Sequence, residues 1–369
     1  MKTLRINAIY VLVFLLLSCT PDYTYVRVGG FAQGGPYTIK ADLSGTSLTP
    51  ESLKSSVDSI FNAIDQSVSG YSKSSLLSRF NAGESVEKDS VFLALEDLGN
   101  RYYEETSGVV DVWSAPLFDV WGFGFTPDSL PSPELIAAAK AQSALRRKVN
   151  FNAIAQGYSC DLIAGWLRSN GVRNMLVDVG EIFGCGVNPE GRHWTIGIDS
   201  PVDGNNKPGA DLKCIYSLPE GLCGIVTSGN YRKFYIRDGK KYAHTIDPIT
   251  GYPVTHNLLS ATIISSNPES VTNAADADAY ATWCMVVGLD EARRFVESRP
   301  YLEAVLIYEE DGQMKLWRSD KADGAAREQQ RLQQPLAQSH SRLPDYPAGR
   351  EQSQCQGRRD DYPGQGKAY

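Results

Sequence analysis

Two Asp-Gly pairs, Asp238-Gly239 and Asp311-Gly312, each divide a run of alternating residues, 222–248 and 304–317. Asp-Gly suits the two positive-φ positions of a type I′ turn, whose twist matches antiparallel strands. The chain must therefore make local antiparallel pairs, which a regular βαβ wind does not contain. In a two-residue register around 238–239, Tyr235 faces Tyr242 and Lys233 faces His244. Tyr231, Tyr235, Tyr242, His244 and Ile246 then share one face. Further strand-like runs cover 26–42 (interrupted at 32–37), 173–187 (breaking at glycines), 193–199 and 258–266. Helical spacing marks 50–68 through Leu53, Val57, Ile60, Phe61 and Ile64. It recurs over 90–106, 132–144 and within 149–171, then from 273 and from 290. Pro116 argues against a central strand over 109–124. Strands and helices alternate irregularly, so the expected class is α+β, with mixed or antiparallel sheets and packed helices.

The ends read differently from the middle. Lys2 and Arg5 precede an apolar run, Ile6 to Leu17, that is short for a membrane-crossing helix and ends Leu16-Leu17-Ser18-Cys19. This is the bacterial lipoprotein pattern. It predicts a signal peptide over 1–18, lipid on Cys19, a tether over 19–25 and anchorage on the periplasmic side of a membrane. The other six cysteines form no CxxC pair and no disulfide framework. After Trp317 the chain turns rich in Gln, Arg, Pro and Gly, so 319–369 reads as a disordered or aberrant tail and 26–318 as the folded domain. The net charge of −7 gives no general attraction for nucleic acid or an anionic membrane surface.

Chemistry concentrates in NAADADAYATW, residues 273–283, which runs into the apolar stretch Trp283–Val287. On a helix Asp278 and Thr282 are i and i+4 and share a face, while Asp276 points elsewhere. A carboxylate and a hydroxyl together are half a site for a hard cation such as Mg²⁺. The alternative is that acids near a helix start only cap free N–H groups. Of the four histidines, His193, His244, His256 and His340, His244 lies on the Tyr-rich hairpin and is the leading candidate for a base. TSGNY (227–231) and VDVGEIFGCG (177–186) are glycine-bearing strand ends where backbone N–H groups can approach phosphates. No Walker loop or GxGxxG is present.

Six ordered blocks carry a resemblance. They are GGFAQGGPYTI, SGYSKSSLLSRFN, SGVVDVWSAPLFDVWGFG, IAQGYSCD, TSGNYRKFY with YAHTIDPITGYPV, and ADAYATWCMVVG. In this order and spacing, from about residue 28 to 317, they resemble the ApbE family, the FAD:protein FMN transferases. The resemblance implies a single T-fold-like domain that binds FAD with Mg²⁺, passes the FMN moiety to a Thr or Ser hydroxyl of a target protein, and releases AMP. By matched position it implies that Asp278, Thr282 and the Ala153 carbonyl hold Mg²⁺. It implies FAD contacts at Tyr71, Val109, Val110, Asp111, Asn150, Gln156 and Ile246, and a part for His244 in deprotonating the acceptor. The acceptor would be a membrane or secreted flavoprotein, such as a subunit of a respiratory electron-transfer complex. The chain departs from the family pattern at Gln156 (often Lys or Glu), Asn150 (commonly Asp), Ala281 (a carboxylate in some members) and the single Gly180 before Glu181 (usually Gly-Gly). Those departures keep two alternatives open, hydrolysis of FAD to FMN and AMP, and a lipoprotein that binds FAD without cleaving it.

Overall fold

Helix starts are set by short-range chemistry. Thr49 and Ser52 form a reciprocal capping box, and with Pro50 in the first turn it opens helix α1, Pro50–Val68. Ser75, Asp89 and Ser132 likewise lend side-chain acceptors to α2 (Leu76–Asn81), α3 (Ser90–Glu105) and α5 (Pro133–Ala144). Between α3 and α5, Asp111 caps a 3₁₀ turn, Val112–Ser114, that runs into α4, Ala115–Val120. The remaining helices are α6 (Ala155–Ser169), α7 (Asn273–Val287) and α8 (Leu289–Glu297). The computed structural model describes residues 24–322 apart from 124–129, 203–208, 210, 231–233 and 238–239, with only the backbone described for 234–237 and 240–243. Cys19, the signal segment, most of the tail, Lys233 and the Asp238-Gly239 turn lie outside the described residues.

In chain order the strands are β1 (Tyr25–Ala32), β2 (Gly35–Asp42), β3 (Met175–Asp178), β4 (Ile182–Cys185), β5 (Thr195–Asp199), β6 (Leu212–Ser217) and β7 (Cys223–Gly229). They continue as β8 (Phe234–Arg237), β9 (Lys240–Ala243), β10 (Ile246–Asp247), β11 (Tyr252–Pro253), β12 (Leu258–Ser265), β13 (Leu302–Glu310) and β14 (Gln313–Arg318). Eight of these form one sheet in the order β1-β2-β3-β4-β7-β12-β13-β14. Every neighbouring pair in it is antiparallel, so of the two expected arrangements, mixed or antiparallel, the sheet takes the second. The other strands make two-stranded ribbons, β5-β6, β8-β9 and β10-β11. In β8-β9, Tyr235 pairs with Tyr242, the expected register.

Two expectations need correction. The run 26–42 is not one interrupted strand but a hairpin, because Gln33 and Gly34 both take positive φ (51° and 85°). The run 173–187 is also a hairpin, β3-β4, which turns through Gly180 at φ 98°. In both, a glycine that looks like an interruption in sequence is the turn itself. The short strand β6 also has no counterpart among the sequence-based elements. The described chain continues past 318 to Ala322, which is fully buried.

Both faces of the sheet are covered. Helices α6 and α7 lie on one face, where α7 packs against β7 and β12. Trp194, Ile196, Ile198, Tyr216 and Leu218 of the β5-β6 region close the other face over Ile225, Ile264, Val305 and Ile307. This double cover explains why β12 reads LLSATIIS, a nearly continuous apolar run with almost every residue buried.

Candidate active site

Behind NAADADAYATW, helices α6 and α7 meet in close contact. Small residues permit it: α7 buries Ala274, Ala275, Ala277, Ala279 and Ala281. A Cβ at Gly157 of α6 would run into the Ala274 carbonyl. At this crossing the Gly157 N–H donates to Asp278 Oδ2 at 3.1 Å. In a regular helical start that N–H would return to the carbonyl of Ala153. Among the described residues the Ala153 carbonyl accepts no backbone N–H, while the next donor, Tyr158 N–H, bonds Ile154 at 2.9 Å. Asp278 is buried, and its carboxyl is held well above the usual range, first by burial and then by the nearby Glu181 charge, against the pull of the Gly157 N–H. Thr282, one turn on, is half-buried, and its hydroxyl makes no hydrogen bond among the described residues.

A carboxylate with spare lone pairs, a released carbonyl and a hydroxyl form an all-oxygen donor set of the kind a hard cation takes. Among the described residues no cluster of three or more His, Cys, Asp or Glu side chains could hold a metal. A cation here would therefore keep positions for water or phosphate oxygen, as Mg²⁺ does. Ala153, Asp278 and Thr282 are the three residues that the resemblance implies as cation ligands.

Asp276 turns the other way, as its position on the helix predicts. It accepts from Tyr102 Oη at 2.6 Å, Ser270 Oγ at 2.7 Å and Thr272 Oγ1 at 3.2 Å, and pairs with Arg101. This acid is saturated and joins α7 to α3.

The β3-β4 turn stands beside the α6 start. The Gln156 amide donates to the Val179 carbonyl at 3.4 Å, and Gly180 N–H donates to Asp178 Oδ1 at 3.1 Å. Gln156 thus ties helix to turn with a neutral bond. Asn150 Oδ1 accepts from Asn152 N–H at 2.8 Å, and Asn150 N–H donates to the Val112 carbonyl at 2.8 Å. The loop carrying Ala153 is therefore fastened to the Asp111 corner.

At that corner Asp111 Oδ1 accepts from Trp113 N–H at 2.9 Å. Burial raises its carboxyl pKa, opposed by that N–H and by Arg146. Asp111 lines a pocket of about 280 Å³ with Tyr103, Trp113, Lys140, Arg146 and Pro248. The 247–251 turn is clamped beside it: Trp121 Nε1 donates to the Gly251 carbonyl at 2.8 Å and Lys140 Nζ to the Ile249 carbonyl at 2.6 Å. Val109 is half-buried and Val110 buried in the main core. The side chain of Ile246 is buried with Leu117, Trp121, Ile136 and Ala139. Tyr71 is 76% exposed on the α1–α2 loop. His244 is half-buried, its ring edge-on to Phe123 with centroids 6.4 Å apart. His256 has a structural place, since its Nε2 meets the Met285 carbonyl at 2.9 Å and burial lowers its pKa.

Two functional candidates carry no assignment from sequence. Glu181 is close enough to raise Asp278. Asp161 accepts from Ala274 and Ala275 N–H at 3.0 and 2.8 Å. The available signal for Asp161 was a carboxylate set in the apolar helix SCDLIAGW, four residues after Gly157.

Comparison with known proteins gives a consistent result. A profile described as the ApbE family matches residues 34–306. The FAD:protein FMN transferase of Escherichia coli (strain K12) is 33% identical over 292 residues, 72% of this chain and 80% of that protein. The solved structure of the flavin transferase ApbE from Vibrio cholerae superposes with a TM-score of 0.69 at 28% identity, over 82% of this chain and 99% of that one. The Pseudomonas stutzeri flavinyl transferase ApbE superposes with a TM-score of 0.70 at 29% identity, over 82% and 97%.

Proposed function

The chain belongs to the ApbE family, and from that premise we propose that it transfers the FMN moiety of FAD to a Thr or Ser hydroxyl of a target flavoprotein, with Mg²⁺ as cofactor and AMP as leaving group. The observation that carries this reading is the Gly157 N–H turned onto Asp278, which leaves the Ala153 carbonyl without its helical donor. Asp278, Thr282 and that carbonyl would hold the cation. When bound, Mg²⁺ supplies positive charge against pyrophosphate oxygens. Gln156 and Asn150 brace the loop between the cation site and the Asp111 corner. The pocket beside Asp111, with Trp113 and Tyr103 on its wall, would receive part of the FAD. In the reaction the acceptor hydroxyl oxygen bonds to the FMN phosphorus, and the bond from that phosphorus to the bridging oxygen of AMP breaks. The hydroxyl proton must leave, and His244 is our candidate to take it.

The same reading places the protein on the periplasmic side of a bacterial membrane, held by lipid on Cys19, with an acceptor in a membrane or secreted flavoprotein such as a respiratory electron-transfer subunit. The support for the anchor is the Lys2/Arg5, Ile6–Leu17, Ser18-Cys19 pattern.

The test incubates the chain from residue 21 with FAD and Mg²⁺, with and without a peptide bearing a candidate Thr, and measures AMP and peptide mass. AMP together with a peptide heavier by one FMN is the expected result. AMP with no mass gain on any candidate acceptor would replace transfer by hydrolysis. Tight FAD binding with no AMP would replace catalysis by flavin storage.

A further inference from the structure

Helices α6 and α7 each begin without help from their own capping residue: neither Ile154 nor Thr272 makes a side-chain cap bond. First-turn N–H groups buried in this way need acceptors from elsewhere. Here the two helices exchange them. Asp161 of α6 accepts from Ala274 and Ala275 N–H of α7 at 3.0 and 2.8 Å. Asp278 of α7 accepts from Gly157 N–H of α6 at 3.1 Å. The spacing is the same in both directions. Gly157 and Asp161 are i and i+4, as are Ala274 and Asp278, so each helix presents an N–H and a carboxylate on one stripe. Gly157 lets the stripes meet, since any Cβ there would strike the Ala274 carbonyl.

We propose that Asp161 is a positioning residue for the cation site: its hold on the first turn of α7 fixes the Asp278 carboxylate over the start of α6 and keeps the Gly157 N–H off the Ala153 carbonyl. The inference rests on the reading that Ala153, Asp278 and Thr282 hold a divalent cation. Asp161 needs no contact with that cation; it acts through the helix it grips. Both its oxygens are engaged. An Asn in its place keeps one acceptor and turns an NH₂ toward the other N–H, which shifts the helix start without opening a cavity. Asp276 provides a matched control, being a buried acid on the same helix whose partners lie on α3 and its own N-terminal loop.

The experiment measures Mn²⁺ binding to FAD-free protein by the electron paramagnetic resonance of free Mn²⁺, alongside thermal midpoints in chelator. Wild type is compared with Asp161→Asn, Asp278→Ala, Asp276→Asn and Gly157→Ala. We expect Asp161→Asn and Gly157→Ala to weaken Mn²⁺ at least about tenfold, the range of outer-shell ligand supports. Asp278→Ala should do so at least as strongly, and Asp276→Asn should stay within about twofold whatever its loss in midpoint. Gly157→Ala disturbs the reciprocal half of the clasp, the Gly157–Asp278 bond, without touching Asp161, so the proposal stands or falls even if Asp161→Asn does not fold. Weakening by Asp278→Ala with wild-type binding in Asp161→Asn would overturn the positioning role and leave the cation site intact. Wild-type binding in both would overturn the cation site and this proposal with it. Equal weakening by Asp276→Asn would reduce the effect to general destabilisation and likewise overturn it.

Discussion

The two sides of α7 carry the same functional group in almost the same burial, Asp276 at 3% exposure toward α3 and Asp278 at 4% toward α6. Their surroundings differ sharply. Asp276 has a guanidinium, a phenol and two hydroxyls around it, enough to satisfy an ionised carboxylate. Among the described residues Asp278 has one backbone N–H, and it faces a second acid, Glu181. Folding alone gives no reason to bury a carboxylate so poorly supplied, because an unpaired charge costs more than the apolar residue it displaces returns. The lesson is that partner supply, rather than burial or residue type, separates the acid that holds the fold from the acid held ready for a ligand.

The largest effect should come from breaking the α6 side. Asp278→Ala is expected to lower Mg²⁺-dependent AMP release from FAD by on the order of a hundredfold or more, while FAD binding falls much less. Its thermal midpoint in chelator should equal or exceed that of wild type, because an under-partnered buried acid has been removed. Unchanged AMP release would cancel the contrast between the two sides.

Breaking the α3 side should reverse the pattern. Asp276→Ala leaves Tyr102 Oη, Ser270 Oγ and the Arg101 guanidinium short of an acceptor. The cost expected in urea unfolding is about 2–4 kcal/mol, kept moderate because Arg101 is partly exposed and water can reach it. Activity measured below the unfolding transition should stay within a few-fold of wild type. A stability loss below about 0.5 kcal/mol would mean that the Asp276 network is decorative.

Much of this is legible in the sequence. The stripe Leu53, Val57, Phe61, Ile64 with Thr49-Pro50 ahead of it determines α1 locally, so sequence suffices. Asp311-Gly312 determines β13-β14 in the same way, with φ 56° and 70° at the two turn positions. Helical geometry alone put Asp278 with Thr282 and turned Asp276 aside. What escaped is non-local. Gly157 and Asp278 are 121 residues apart, and nothing in either helix says that the other will cross it. The role of Asp161 is invisible for the same reason, and the division of labour between Asp276 and Asp278 depends on Arg101 and Tyr102, a long way up the chain. Ile246 teaches the converse: resemblance assigned it to the FAD site, yet its side chain belongs to a small core beneath the pocket, so any direct contact there falls to its backbone.

The seat of α7 on the sheet offers a third, smaller break, one that disturbs both sides together. A Cβ at Gly224 of β7 would meet backbone atoms of Asn273 and Ala274. Gly224→Ala should therefore push the α7 start off the sheet, with a loss of about 1–3 kcal/mol as for other overpacked sites. It should weaken Mn²⁺ binding and lower stability at once. A variant that lost stability but kept wild-type Mn²⁺ affinity would show that the cation site is set only by the α6 clasp.

The smallest effect tests whether scarce partners alone make an acid functional. Glu303 of β13 is buried on the opposite face of the sheet and accepts from Tyr216 Oη at 2.8 Å. Burial raises it above its ordinary 4.5, with the Tyr216 hydroxyl and Lys321 pulling the other way. The folded protein therefore keeps this proton at pH values where the unfolded chain has lost it. By linkage its contribution is most favourable below about 4.5 and declines as pH rises through the folded value. Glu303→Gln cannot ionise and still accepts from Tyr216. Its stability relative to wild type should rise between pH 4.5 and 8, by roughly 1 kcal/mol or less, as followed by thermal midpoints across that range. AMP release and Mn²⁺ affinity should not change, because Glu303 meets Tyr216 on the face of the sheet away from α7 and the one hydroxyl beside it is already bonded to it. A loss of Mn²⁺ affinity in Glu303→Gln would mean that the cation site depends on the whole sheet, and that the contrast drawn at α7 is too local.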